Sequence, residues 1–147
     1  MSIFKCSVSC GFFMYLGLLM TVAASEPVEN QLKGEVARAQ FTTAIVEREP
    51  VDNVVVLGAD QDQVYFFSDL RNLMGQKVVH RWEYGGRIEA EVEFEVTSNR
   101  WRAYSRKMLD STKYGVWTVV VVSEQGWPLK ATLFEYTEGM TQLLVTP

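Results

Sequence analysis

The stretch Ile88–Val96, "IEAEVEFEV", alternates apolar residues with glutamate and does not break. A period of two belongs to a strand with one face on a core and the other in water, and it conflicts with the 3.6-residue spacing of a helix. Ile88, Ala90, Val92, Phe94 and Val96 share the apolar face, and Glu89, Glu91, Glu93 and Glu95 the other. Just upstream, "KVVHRWEYGG" (Lys77–Gly86) ends in Gly85-Gly86, the punctuation of a hairpin. A two-residue loop would set Trp82 opposite Glu89 and His80 opposite Glu91, aromatic rings beside carboxylates. A three-residue loop over Gly85-Gly86-Arg87, or a bulged equivalent, sets Tyr84 opposite Ile88, Trp82 opposite Ala90 and His80 opposite Val92. It also places Arg81 across from Glu91 and Lys77 across from Glu95. That register buries one face and pairs charges on the other, so it is the expected one.

His80, the single histidine, then points inward beside Trp82. It reads as a neutral, hydrogen-bonded core residue. No catalytic motif surrounds it, and without a second histidine or a cysteine nearby it makes a poor metal ligand.

Other strands follow the same logic. "AQFTTAIVE" (from Ala39), "VYFFS" (Val64–Ser68), "WRAYSRKM", "VWTVVVVSE" and "WPLKATLFEY" are short β-type runs, the last two joined across Gln125-Gly126. Val119–Val122 is apolar on both faces, which suits a central strand. The expected fold is all-β: an antiparallel β-sandwich of about seven strands with immunoglobulin-like proportions, preceded by a signal peptide. Trp82 and Trp117 are core anchors in this reading, and Gly85 and Gly86 turn the hairpin.

The first 25 residues differ in kind. A lysine near the start, an uncharged apolar run from Gly11 to Ala24 and small residues after it form a secretory signal peptide. The run is short for a permanent bilayer span, and cleavage is expected after Ala24 or Ser25. Both cysteines, Cys6 and Cys10, lie inside it. The expected mature domain is therefore free of disulfides, thiolate metal sites and thiol catalysis. The domain reading is signal peptide 1–25, linker 26–38, β-sandwich 39–137, and a tail or edge strand 138–147. The signal implies a periplasmic or secreted location. Formal net charge is -4, which gives no bulk attraction to nucleic acid, and a membrane is met only through an uncleaved signal.

Two segments are candidate contacts. "EREPVD" (Glu47–Asp52) reads as a structured turn with Asp52 capping backbone amides, and as a binding loop through Arg48, Glu49 and Asp52. "NRWRAYSRK" gathers Trp101, Arg102 and Arg106 with Arg100 and Tyr104. It is either a basic-aromatic strip for an anionic ligand or, in the favoured reading, the partner of the glutamate ladder, with Glu95 meeting Arg102 and Glu91 meeting Arg106. Asp60 and Asp62 read as a solvated turn rather than a calcium loop. Trp101, Trp117 and Trp127 read as core anchors rather than a sugar-stacking platform.

The blocks "ARAQFTTAIVEREPVD", "VYFFSDLRNLMGQKVVHRWEYGGRIEAEVEFEV", "RWRAYSRK" and "GVWTVVVVSEQGW" together resemble a bacterial family catalogued as domain of unknown function 2914, over about Ala37 to Tyr136. The resemblance implies a small β-rich domain of exported or membrane-anchored proteins. It brings no reaction or ligand, and it places Arg48, His80, Arg81, Trp82, Trp101, Arg102, Ser105 and Trp117 on matching positions. The function expected is a non-enzymatic exported module that binds a protein or a cell-envelope polysaccharide, with no cofactor. A purely structural edge-pairing domain, or a hydrolase using His80, is the alternative.

Overall fold

A computed structural model of the chain describes residues 33–139. The expected signal peptide, its cleavage point and the "QLLV" of the tail lie outside the described residues.

Ten strands run in chain order: β1 Glu35–Thr42, β2 Ile45–Val46, β3 Glu49–Pro50, β4 Val56–Gly58, β5 Gln63–Arg71, β6 Lys77–Tyr84, β7 Arg87–Glu95, β8 Arg100–Met108, β9 Gly115–Ser123 and β10 Pro128–Thr137. Seven of them have eight residues or more, and β2, β3 and β4 are the short additions. The long strands form a three-stranded sheet, β1-β5-β8, and a five-stranded sheet, β4-β10-β9-β6-β7. The small β2-β3 hairpin stands apart. The all-β sandwich is as expected, with one amendment: β4 runs parallel to β10.

Alternation places the core. Phe41 of β1, with Val64, Phe66 and Leu70 of β5, meets Val78, Trp82, Trp117, Val119, Val121 and Phe134 of the other sheet in one buried cluster. Phe41 is the hub, its ring centroid 5.0 Å from Phe66, 4.6 Å from Phe134 and 5.7 Å from Trp82. Full burial of an aromatic of this size contributes roughly 2–3 kcal/mol. Trp117 stacks on Tyr84 at 4.8 Å, and its Nε1 donates to the Lys113 carbonyl at 3.0 Å.

The β6-β7 hairpin has the bulged version of the expected register. Trp82 faces Ala90, His80 faces Val92, Arg81 faces Glu91 and Lys77 faces Glu95. The reverse itself is a two-residue turn in which Gly85 (φ 56°) and Gly86 (φ 74°) are both left-handed, as a type I′ turn needs. Tyr84 accordingly pairs with Arg87, not Ile88. Glu89 is the extra residue that restores the parity, and it turns Ile88 out to 57% exposure instead of burying it.

Two boundaries shift. Residues 35–38, read as linker, already belong to β1. Val36 faces Leu70 across the sheet, while Arg38 pairs outward beside Asp69. β5 runs past the expected Val64–Ser68 to Arg71, and Leu70 in that extension is fully buried.

Candidate binding face

The neighbours of β8 decide what its arginines do. After Glu95 the chain crosses to the other sheet, where β8 pairs with β5 and not with β7. The glutamate ladder therefore does not meet Arg102 and Arg106. It is met from within its own sheet, by Arg81 on Glu91 (2.7 Å) and by Lys77 on Glu93 (2.9 Å). Lys77 reaches the diagonal glutamate rather than Glu95 opposite it, and that hydrogen bond raises its pKa.

On the outer surface of the three-stranded sheet, alternation aligns Arg38 of β1, Phe67, Asp69 and Arg71 of β5, and Arg100, Arg102, Tyr104 and Arg106 of β8. The segment after β1 folds back over this surface. Its tip is the turn Glu47-Arg48 between β2 and β3, and both residues are left-handed, φ 50° and 64°. That geometry favours Asn-Gly, so two long side chains here store backbone strain of order 1 kcal/mol each. The strain sets Glu49 between two strands: its carboxylate takes Arg102 Nη1 at 2.6 Å and Arg38 Nη2 on its other oxygen. Hydrogen bonding from Arg38 foremost, and from Arg102, holds the Glu49 carboxyl below its ordinary range despite some desolvation. Arg48 stands over the Trp101 ring at 5.8 Å and reaches the Arg102 carbonyl at 3.5 Å. Beneath the fold-back Phe67 is wholly buried, although it points away from the core, and Arg38 lies over its ring at 4.6 Å.

Asp52 anchors the far side of the loop. Its carboxylate accepts the Thr43 amide (2.8 Å) and the hydroxyls of Thr42 (2.6 Å) and Thr43 (2.5 Å). Burial pushes the Asp52 carboxyl up, but these bonds outweigh it and its pKa is lowered. The two candidate segments, separate in sequence, are thus one structure, with Arg48 and Glu49 on the strip and Asp52 fixing the loop that carries them. Trp101 belongs to the inward side of β8, half-buried against the core. Arg106 is exposed, and neither it nor Arg48 has a carboxylate in ion-pair reach among the described residues.

Sequence reasoning missed Arg38, Asp69 and Arg71. Asp69 is 4% exposed and accepts Arg71 Nη2 (3.0 Å) and Arg100 Nη2 (3.1 Å). Extending the alternation of β1 and β5 by two or three residues would have put all three on this face.

His80, on β6 of the five-stranded sheet, lies between the layers and faces the inner side of the three-stranded sheet. It is 0% exposed, between the rings of Phe66 and Phe94. Nε2 is 2.8 Å from Ser68 Oγ, Nδ1 is 3.0 Å from Ser105 Oγ, and Trp82 Nε1 donates to the same Ser105 hydroxyl at 3.1 Å. Every polar atom of the ring is satisfied. Burial drives its pKa down to about 3, so it is neutral at ordinary pH. His80 has a serine on either side in hydrogen-bond reach, and all three are buried, with Ser68 at 0% and Ser105 at 4% exposure.

No curated protein matches the chain. Residues 75–136 match the model of a family described as "Protein of unknown function (DUF2914)". The match runs from the turn before β6 almost to the end of β10 and takes in the hairpin, the arginine strand and the final hairpin, whereas "ARAQFTTAIVEREPVD" precedes it. The resemblance seen in those later blocks is borne out over residues 75–136, which are similar to the DUF2914 family.

Proposed function

We propose that the chain is an exported, non-enzymatic β-sandwich module that binds an acidic protein surface or cell-envelope glycan through the outer face of its three-stranded sheet. The observation that carries this reading is the meeting of the Glu47-Arg48 turn with the β8 strip. Six arginines (38, 48, 71, 100, 102 and 106) share that side, and Glu49 and Asp69 are the carboxylates paired to them. Guanidinium forks suit planar carboxylates and phosphates. Tyr104, 45% exposed between Arg102 and Arg106, adds an aromatic surface. A strained turn that a glycine would relieve is a further mark of a functional loop.

A pull-down from envelope extracts together with a glycan-binding screen tests the proposal. Retention should fall with added salt and be lost in the Arg102→Ala, Arg106→Ala double variant at unchanged circular dichroism. Equal retention by that variant would overturn it. The edge-pairing alternative has less support at β7 and β8, two of the four sheet edges, which expose rows of charged side chains that discourage strand addition.

A further inference from the structure

Two clefts adjoin at one end of the sandwich, sharing Glu35 at the start of β1. The first, about 500 Å³, is lined by Arg71, Asn72, Asn99 and Arg100. The second, about 400 Å³, lies between Lys33 and the Pro128–Lys130 segment. Together they run from the arginine pair to the start of β10, where Pro128 follows the β9-β10 turn. Gly34 lets the chain pass close beneath: a Cβ there would come within 2.4 Å of Leu73 Cδ2 and 3.2 Å of the Asn72 carbonyl.

The chemistry along this path is consistent. Arg71 and Arg100 stand directly opposite each other on β5 and β8, an arrangement that costs stability between like charges. Both lean on the one carboxylate of Asp69, so two guanidiniums share a single negative charge. Asn72, left-handed at φ 55°, donates its backbone N–H to the Asn99 backbone carbonyl at 2.8 Å, which sets the two residues side by side. Lys33 and Lys130 add positive charge at the other end, where Glu35 is the acidic member of the wall. Next to Pro128, Trp127 is not the core anchor expected from the sequence: it is 71% exposed, the most open large hydrophobic side chain among the described residues, because it sits on the β9-β10 turn. Its backbone is held: its N–H donates to Ser123 Oγ at 3.1 Å, and its carbonyl accepts the Ser123 N–H at 2.8 Å. The ring is therefore carried on a fixed turn rather than a loose one.

The geometry points to a groove for an anionic polysaccharide, with a sugar carboxylate on Arg71 and Arg100 and a pyranose ring on Trp127. An indole face packs against the C–H face of a pyranose while its rim stays in water. Side-chain amides match the paired donor and acceptor of sugar hydroxyls, and two guanidiniums take a carboxylate in bidentate fashion. Arg71 and Arg100 belong to the arginine face proposed above, so the groove rests on that reading and narrows its ligand, while Arg48, Arg102 and Arg106 do not line it.

Calorimetric titration of the full chain with oligogalacturonate, maltohexaose and poly-L-glutamate, with tryptophan fluorescence in parallel, tests it. Oligogalacturonate should bind and shift the emission. Arg100→Gln and Trp127→Ala should each weaken it by roughly 10-fold or more, while Arg106→Gln leaves it unchanged. Trp127→Ala, at an open position, keeps the test decisive if Arg100→Gln fails to fold. Absence of binding would overturn the assignment. So would maltohexaose binding as tightly as oligogalacturonate, or poly-L-glutamate binding as tightly with no loss in Trp127→Ala.

Discussion

His80 and Glu49 are each held by side chains from two other strands, yet one sits at 0% exposure between the sheets and the other on the outer surface. Water accounts for the contrast. At His80 the ring gives up its charge and is kept by two neutral hydroxyls, one of them also held by the Trp82 indole, in a medium where an unmade bond is expensive. At Glu49 the carboxylate keeps its charge, and solvent already offers an alternative to Arg38 and Arg102, so their attraction is cheap to break and easy to exchange. Polar groups of similar reactivity in sequence thus divide into a fastener and a contact surface.

The largest break in this contrast should come from His80→Ala. It orphans the Ser68 hydroxyl, leaves Ser105 with Trp82 alone and opens a cavity beside Phe66, and denaturant unfolding should report a loss of about 5 kcal/mol. Acid attacks the same point. The folded pKa of His80, about 3, lies below the unfolded value of 6.5, so the unfolded chain binds the extra proton first. Stability should be full above pH 6.5 and decline toward pH 3 by on the order of 4 kcal/mol. Glu49 and Asp52, both lowered, begin to contribute to acid loss only below their ordinary carboxylate values, near 4.5 and 3.8. A decline already present between pH 6.5 and 4.5 is therefore the signature of His80. His80→Gln should flatten that interval, and a wild-type curve flat across it would refute the assignment.

Effects at the surface cluster should be smaller and of another kind. Glu47→Asn relaxes one left-handed residue and should stabilise the domain by about 0.5 kcal/mol in thermal melts. Glu49→Gln should hardly move the melting midpoint. It should instead strengthen salt-sensitive retention of the acidic partner, because Arg38 and Arg102 are released. A large drop in stability from Glu49→Gln would place it with His80 as a fastener.

The hairpin was legible because parity is a binary signal: glutamates on alternate positions leave one solvent face, and His80 and Trp82 follow from it. The bulge at Glu89 was not, since a single extra residue changes no composition, and Ile88 paid for the omission by landing outside. The partner of β8 was also hidden. A strand that follows another in sequence pairs with it or crosses to the second sheet, and the short link Val96–Asn99 is compatible with either. Arg38 was masked by the polar residues around it, which resemble a linker until their outward alternation is read together with Val36. The meeting of the Glu47-Arg48 turn with Arg102 depends on a fold-back that no local pattern encodes.

The parallel pairing of β4 with β10, Val56 beside Glu135 and Thr137 beside Gly58, has a consequence for how the domain is made. The first strands cannot complete their contacts until the last has emerged: Phe41 needs Phe134, and Leu57 needs Tyr136 as its neighbour. Closure over so long a stretch of chain is entropically slow, which sets folding in the millisecond-to-second range of β topologies and leaves a nascent chain without a stable partial product. A chain interrupted before Pro128 should stay open to proteases, and the domain becomes resistant in a single late step.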